Sequence, residues 1–236
     1  CVYSDRGGDS GAIATANYNA RKFGVKSGIP IMFAKSKLKD QIDAVFLPAD
    51  FDYYSEISSK AMEIIEKYAD VFEYVGRDEA YLDVTKKTEG DFGKAEHLAQ
   101  QLKNEIRKNL KLTCSIGITS NKLLSKIASD YKKPDGLTSV RPQHVENFLS
   151  PLKIRDIPGI GKKTESVFVK MDVNTIEELR GVNIFDLNKR FGRKTGGYIF
   201  NSARGIDIEV VKPRAPTIQF SKITTLKKNS KEFEFL

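Results

Sequence analysis

Tyr74-Val75-Gly76-Arg77-Asp78-Glu79-Ala80-Tyr81-Leu82-Asp83-Val84 sets two adjacent carboxylates between two short apolar runs. The runs, Val71 to Val75 and Ala80 to Val84, are rich in β-branched and aromatic residues. Gly76 supplies a turn residue between them, so the stretch predicts a β-hairpin. Neighbouring side chains of a straight strand point to opposite faces. A hairpin tip relaxes that parity, which allows Asp78 and Glu79 to converge on one point. Two hard oxygen donors on a rigid tip suit Mg²⁺, which takes one or two carboxylates plus substrate phosphates. The plainer alternative is a pair of solvated acids at a turn.

On either side of the hairpin the periodicity is helical. Tyr54, Ile57, Ala61, Ile64, Ile65 and Tyr68 form one apolar stripe, and Leu98, Leu102, Ile106 and Leu110 another. Leu112, Cys114, Ile116 and Ile118 then alternate as a strand, with Cys114 on its buried side as a small hydrophobe. Helix, hairpin, helix, strand predicts an antiparallel sheet with helices on one face, an α+β layer. Ser120 is the expected cap of a further helix, with Leu123, Leu124, Ile127, Ala128 and Tyr131 inward and Lys122 and Lys126 outward. Lys132-Lys133-Pro134-Asp135-Gly136 stops it. At that corner Lys133 can reach a phosphate as a point charge, or remain a solvated lysine.

Upstream, Cys1-Val2-Tyr3 reads as a strand whose partners precede it, which predicts that the chain is a fragment. Ser4 to Ser10 is a polar loop, and Gly11 to Ala16 a strand of small residues suited to close approach by something flat. Asn17 to Gly24 predicts a short helix on which Tyr18 and Arg21 share a face. A guanidinium fork beside a phenol could clamp a triphosphate, or the two could simply stack. Gly28-Ile29-Pro30 turns the chain again.

Composition narrows the class. The chain has 236 residues, enough for about two domains, and is 40% hydrophobic and 30% charged. No apolar run approaches the ~20 residues of a membrane span, and no signal peptide is visible. Two cysteines and two histidines give no disulfide framework and no zinc-ligand spacing. These features predict an intracellular, cytoplasmic protein. Residues 51–100 hold 6 basic and 12 acidic side chains, whereas residues 151–236 hold 17 and 10. An acidic centre beside a basic tail fits a metal site next to a polyanion-binding arm.

The basic part contains Ile154-Arg155-Asp156-Ile157-Pro158-Gly159-Ile160-Gly161-Lys162-Lys163. Gly-Ile-Gly between two short helices is the turn of a helix-hairpin-helix. Gly159 and Gly161 let backbone approach a phosphate, the N–H groups opening the next helix favour the anion, and Lys162 and Lys163 add charge. Such binding is largely blind to sequence, and a plain helix–helix turn is the alternative. Short helices follow near Ile176 to Leu179, Ile184 to Phe191 and Gly197 to Ala203. Residues 206–216 read as a linker, and Thr217 to Leu236 as the opening of a further domain, with Ile218, Phe220 and Ile223 alternating.

Taken together these residues resemble the Y-family translesion DNA polymerases, most closely the archaeal DinB type. The resemblance covers essentially the whole chain. It is carried by Ala14-Thr15-Ala16-Asn17-Tyr18-Asn19-Ala20-Arg21, Asp78-Glu79-Ala80-Tyr81-Leu82-Asp83, Gly117-Ile118-Thr119-Ser120-Asn121-Lys122, Lys133-Pro134-Asp135-Gly136 and Ile157-Pro158-Gly159-Ile160-Gly161. It implies a right-hand fold: small fingers in residues 1–47, an antiparallel-sheet palm in 48–140, and an all-helical thumb in 141–205. The linker 206–216 and the start of a little finger in 217–236 would follow. It further implies that Asp78 and Glu79 hold two Mg²⁺ ions, and that Thr15, Tyr18, Arg21 and Lys133 hold the triphosphate of a dNTP. Ala12 and Gly28 would face the nascent base pair, their smallness making a roomy, low-fidelity pocket. Primer–template DNA is the implied partner, with a sliding clamp as a further candidate and a monomer as the expected state.

The resemblance has three departures. The family's first metal-binding aspartate, and the aromatic that excludes ribonucleotides, would precede Cys1. The family usually has Ser-x-Asp-Glu where this chain has Gly76-Arg77-Asp78-Glu79. Most of the little finger would lie beyond Leu236. Two other readings stay open: a nucleotidyl cyclase, to whose acidic turn Gly-Arg-Asp-Glu is similar, and a non-catalytic helix-hairpin-helix DNA-binding fragment.

Overall fold

The computed structural model describes residues 1–4 and 11–213. The expected strand at Ile218 to Ile223, and most of the polar loop before Gly11, lie outside the described residues. Two compact units divide the chain, Cys1–Ala61 and the remainder from Met62.

In the first unit, β1 (Val2–Ser4) does find partners, and they lie downstream. It pairs antiparallel with β2 (Ala12–Thr15) and parallel with β3 (Leu47–Pro48). Helices α1 (Tyr18–Lys22) and α2 (Ile31–Lys37) pack on this sheet through Ile13, Ala16, Ala20, Val25, Ile31 and Ala34. The Asn17 side chain caps α1 by accepting from the Ala20 N–H. Helix α3 (Phe51–Glu66) follows.

The second unit is built around the predicted hairpin, β4 (Val71–Gly76) and β5 (Glu79–Asp83), antiparallel. After the one-turn α4 (Thr85–Thr88) comes α5 (Phe92–Leu110), then β6 (Ile116–Ile118), α6 (Lys122–Tyr131) and β7 (Leu137–Ser139). Ile64, Ile65 and Tyr68 pack with Leu102, Ile106 and Leu110 of α5 against Leu82, Cys114 and Ile116. Tyr68 donates to Glu105 at 2.6 Å. Burial, then that neighbouring carboxylate, pushes the phenol up to about 12.

The fold is α+β, and among the described residues the antiparallel hairpin does not continue into one sheet with the later strands. β6 pairs parallel with β7, in a sheet separate from the hairpin. A parallel pair needs a crossover connection, and α6 supplies it, lying across the face of β6 opposite the α5 cluster. Gly117 makes this possible: a Cβ there would stand 2.2 Å from the Ser125 carbonyl oxygen and 2.6 Å from Ser129 N. Asn121, rather than Ser120, caps α6 by accepting from Leu124 N–H at 2.9 Å.

The apolar side of α6, Leu123, Leu124 and Ile127, joins the largest core cluster. That cluster continues through Leu149, Leu152, Ile154, Ile157, Phe168, Ile176, Leu187 and Ile199. Its helices are α7 (Val145–Leu149), α8 (Lys162–Val169), α9 (Ile176–Arg180) and α10 (Ile184–Ser202), the last interrupted at Gly192, where φ is 79°.

Candidate active site

The hairpin tip is a two-residue turn, Arg77–Asp78, and Glu79 opens β5. Gly76 is the last residue of β4 and pairs with Glu79. Pairing steps from Tyr74↔Ala80 to Gly76↔Glu79, so β4 carries one extra residue, a bulge at Val75. Neither Arg77 nor Asp78 has a left-handed backbone, so the turn is not of the primed kind usual in two-residue hairpins. The bulge supplies the local twist in its place and re-aims the tip. Asp78 is exposed and Glu79 half-buried. A Cβ on Gly76 would lie 4.0 Å from Asp78 Oδ1, an ordinary contact, so the tip would accept a serine there unstrained.

The lysines of α6 face the hairpin, contrary to the outward placement that helical periodicity suggests. Lys122 Nζ lies 2.8 Å from Glu73 Oε1 and 5.1 Å from the centre of the Tyr81 ring. Glu73 also accepts from Lys212 N–H at 3.1 Å. Burial alone would push its carboxyl up, yet the Lys122 ammonium and that N–H hold it below the usual range. One turn further along, Lys126 Nζ donates to Glu79 Oε1 and stands 3.5 Å from Asp130 Oδ2. Lys133 Nζ is 2.7 Å from Asp130 Oδ1. Tyr131, expected inward, is 53% exposed, with its ring edge-on to Phe148.

Behind Lys133, the corner is clamped from α5. Lys103, 9% exposed, reaches the carbonyls of Cys114 and Asp135 and the Asp135 carboxylate. Arg107 pairs with the other Asp135 oxygen. The Cys114 thiol is pushed up by burial and is only partly enclosed.

In the first unit, Arg21 lies 5.1 Å over the Tyr18 ring and donates Nε–H to the Ala16 carbonyl at 2.8 Å. The stacked arrangement of this pair is thus the one the structure holds. Thr15 and Tyr18 are exposed, and a Cβ on Gly28 would meet nothing within 4 Å. Gly28 N–H bonds to Ile13 O at 2.8 Å, which sets Gly28 beside β2 and close to Ala12.

The Pro158–Gly161 turn forms as expected, with φ of 82° at Gly159. What precedes it is a single 3-10 turn, Ile154–Asp156, rather than a helix. Tyr198 donates to the Pro158 carbonyl at 2.7 Å and fixes the turn against α10. Gly161, Lys162 and Lys163 are exposed at the opening of α8, and Gly161 brings no side-chain cap. Its first N–H groups are thus presented outward beside two ammonium groups.

Among the described residues, no group of three His, Cys, Asp or Glu forms a metal cage. Asp78 and Glu79 nonetheless fit a divalent ion that completes its shell with phosphates and water. The Lys126 ammonium already occupies a cation's place against Glu79. The roles of Lys103 and Asp130 carry no motif in the sequence; for Lys126 and Asp130 the one signal is their i, i+4 spacing on α6.

This arrangement belongs to a recognised class. The impB/mucB/samB family matches residues 2–130, and the thumb domain described for DNA polymerase-iota matches residues 155–207. The chain belongs to that family, the Y-family of DNA polymerases.

Within it, the chain is similar to DinB-type enzymes. It is 69% identical over 236 residues to DNA polymerase IV of Nitrosopumilus maritimus and 37% identical over 234 to that of Saccharolobus solfataricus. It covers 100% and 99% of itself in these matches, but 65% of each relative's length. The solved DinB of Sulfolobus solfataricus superposes with a TM-score of 0.82 at 38% identity, covering 89% of this chain and 60% of that one. An insertion ternary complex of Dbh DNA polymerase gives 0.81 at 38%, covering 89% and 61%. No described helix is long and apolar enough to cross a membrane.

Proposed function

We propose that this chain performs template-directed DNA synthesis of the translesion type, moving a nucleotide from a dNTP onto a primer 3′-hydroxyl with low fidelity. The observation that carries the reading is the bulged tip bearing Asp78 and Glu79, with Lys133 tied to it through α6 in a Y-family chain. Asp78 and Glu79 would hold the metal. Two Mg²⁺ ions held there would lower the pKa of the primer hydroxyl and neutralise the charge on the departing pyrophosphate. Lys133 binds phosphate as a point charge. In the first unit, Arg21 offers a guanidinium oriented by Ala16, with Tyr18 and Thr15 as hydroxyl donors. The open space at Gly28 and the small Ala12 impose little shape selection on a base pair. Gly159, Gly161, Lys162 and Lys163 grip the DNA backbone.

By this reading residues 1–47 are fingers, 48–140 palm, 141–205 thumb, 206–216 linker and 217–236 the opening of a little finger. Primer–template DNA and dNTP are the proposed partners of a cytoplasmic monomer, with a sliding clamp as a further one. The test is primer extension with Mg²⁺ and all four dNTPs, on intact and abasic templates, beside a DNA-binding titration. Extension that Asp78→Ala abolishes, with DNA affinity unchanged, is the expected result. Normal extension by Asp78→Ala would remove the metal assignment, and DNA binding without extension by the parent chain would reduce the reading to a binding module.

A further inference from the structure

An unbroken line of alternating charges joins the hairpin tip to the lysine corner: Glu79, Lys126, Asp130, Lys133. Two cations share the one carboxylate of Asp130. Lys133 sits at 2.7 Å on Oδ1, whereas Lys126 stands off at 3.5 Å from Oδ2 because Glu79 draws it away. The pair one turn earlier, Lys122 of α6 with Glu73 of β4, behaves differently. Lys122 and Glu73 have side chains 10% and 15% exposed, and separating them would strand buried charges. Along the Lys126 line the exposures are 27% for Lys126, 43% for Glu79, 47% for Asp130 and 44% for Lys133. Ion pairs as wet as these are weak and exchange partners readily.

We propose that Lys126 and Asp130 are positioning residues forming an exchange relay between metal and nucleotide. Lys126 occupies Glu79 until a divalent cation displaces it. The displaced ammonium settles on Asp130, and Asp130 in turn gives up Lys133 to the phosphates of an incoming nucleoside triphosphate. Linkage makes the effect reciprocal: a triphosphate that takes Lys133 draws Lys126 toward Asp130 and clears Glu79, so each ligand tightens the other by one common factor. The inference rests on the metal and phosphate roles proposed above for Glu79 and Lys133.

The experiment uses the whole chain, with Mn²⁺ binding read by electron paramagnetic resonance and binding of α,β-imido-dATP read by calorimetry. Each is measured with and without the other ligand. Lys126→Gln is expected to bind Mn²⁺ about two- to fivefold tighter without nucleotide, the worth of one exposed ion pair, and to lower the metal–nucleotide coupling by the same factor. Lys126→Arg restores the parent behaviour. Asp130→Asn is expected to bind the triphosphate without metal about two- to fivefold tighter, a gain that disappears when Lys133→Ala is added. A purely structural Lys126 would instead weaken both ligands on removal. Unchanged coupling in Lys126→Gln and Asp130→Asn, while the parent binds both ligands, overturns the relay alone. A parent chain that binds neither Mn²⁺ nor the triphosphate overturns the relay together with the proposed function.

Discussion

Lys103 meets Asp135 twice, its Nζ 2.6 Å from Oδ1 and 2.9 Å from the carbonyl oxygen of the same residue. Asp135 has φ of 56°, a left-handed conformation that aspartate tolerates better than most residues. A buried ammonium from α5, with Arg107 on the second carboxylate oxygen, holds its side chain there. The clamp fixes the backbone two residues beyond Lys133.

Replacing Lys103 with Met keeps the stem and removes the donor from the Cys114 and Asp135 carbonyls. The expected loss is about 1–3 kcal/mol, mainly from the stranded carbonyl acceptors, the Asp135 end of the pair being partly exposed. Urea unfolding checks it, and a change below about 0.5 kcal/mol, the level of an ordinary surface substitution, would reduce the clamp to an incidental contact.

The same pair predicts an acid response. The hydrogen bond from Lys103, then the charges of Lys103 and Arg107, hold the Asp135 carboxyl below the usual aspartate range. The folded state therefore binds that proton less readily than the unfolded chain. The stabilisation is fully present above the ordinary aspartate value near ~3.9 and is lost as the pH falls through the lower folded one. Parent and Asp135→Asn should differ most at neutral pH and draw together on acidification. A gap that stays constant from neutral to acid pH would contradict the assignment.

Gly117→Ala forces a methyl into the backbone of α6, where no side chain can swing aside. An overpacking cost of about 1–3 kcal/mol or more is expected in thermal or urea unfolding. Because α6 carries Lys126, nucleotide incorporation should fall as well. Gly161→Ala is the matching control, since its Cβ would enter open space at a φ of −89°. Equal stability losses in the two variants would refute the close-approach argument.

Lys162→Ala with Lys163→Ala should leave stability unchanged, both side chains being exposed. DNA binding should weaken, and the slope of log K against log salt should shrink by about 2 if each lysine neutralises one phosphate. An unaltered slope would free the turn from any phosphate role.

Much of this architecture could be read from residue order. Two β-branched and aromatic runs around Gly76 gave away the hairpin at Val71 to Val84, the 54–68 and 98–110 stripes gave helices, and Pro158 to Gly161 gave the turn. Gly76 misled, because a glycine beside a turn is easily taken for the turn itself, and only strand register reveals the bulge at Val75. Lys122 and Lys126 misled for another reason. Helical periodicity separates apolar from polar sides but is silent on whether a polar side meets water or another element. Lys103 was hidden likewise among the exposed charges expected of α5. The parallel pairing of β6 and β7 depends on contacts across α6 that no local pattern encodes.

Helix α6 answers to two masters. Its leucines are built into the core that holds α7 to α10, while its lysines grip the hairpin. At its first turn, Leu123 N–H is also held by Asp207 at 3.0 Å, and Asn121 reaches the Gly205 carbonyl at 2.8 Å. Ten residues thus couple helices α7 to α10 to the acidic tip, beside the direct link from Lys212 N–H to Glu73. A hinge placed there would tear one side or the other. Its backbone amides should accordingly be among the last to exchange with deuterium, opening only when the whole unit does.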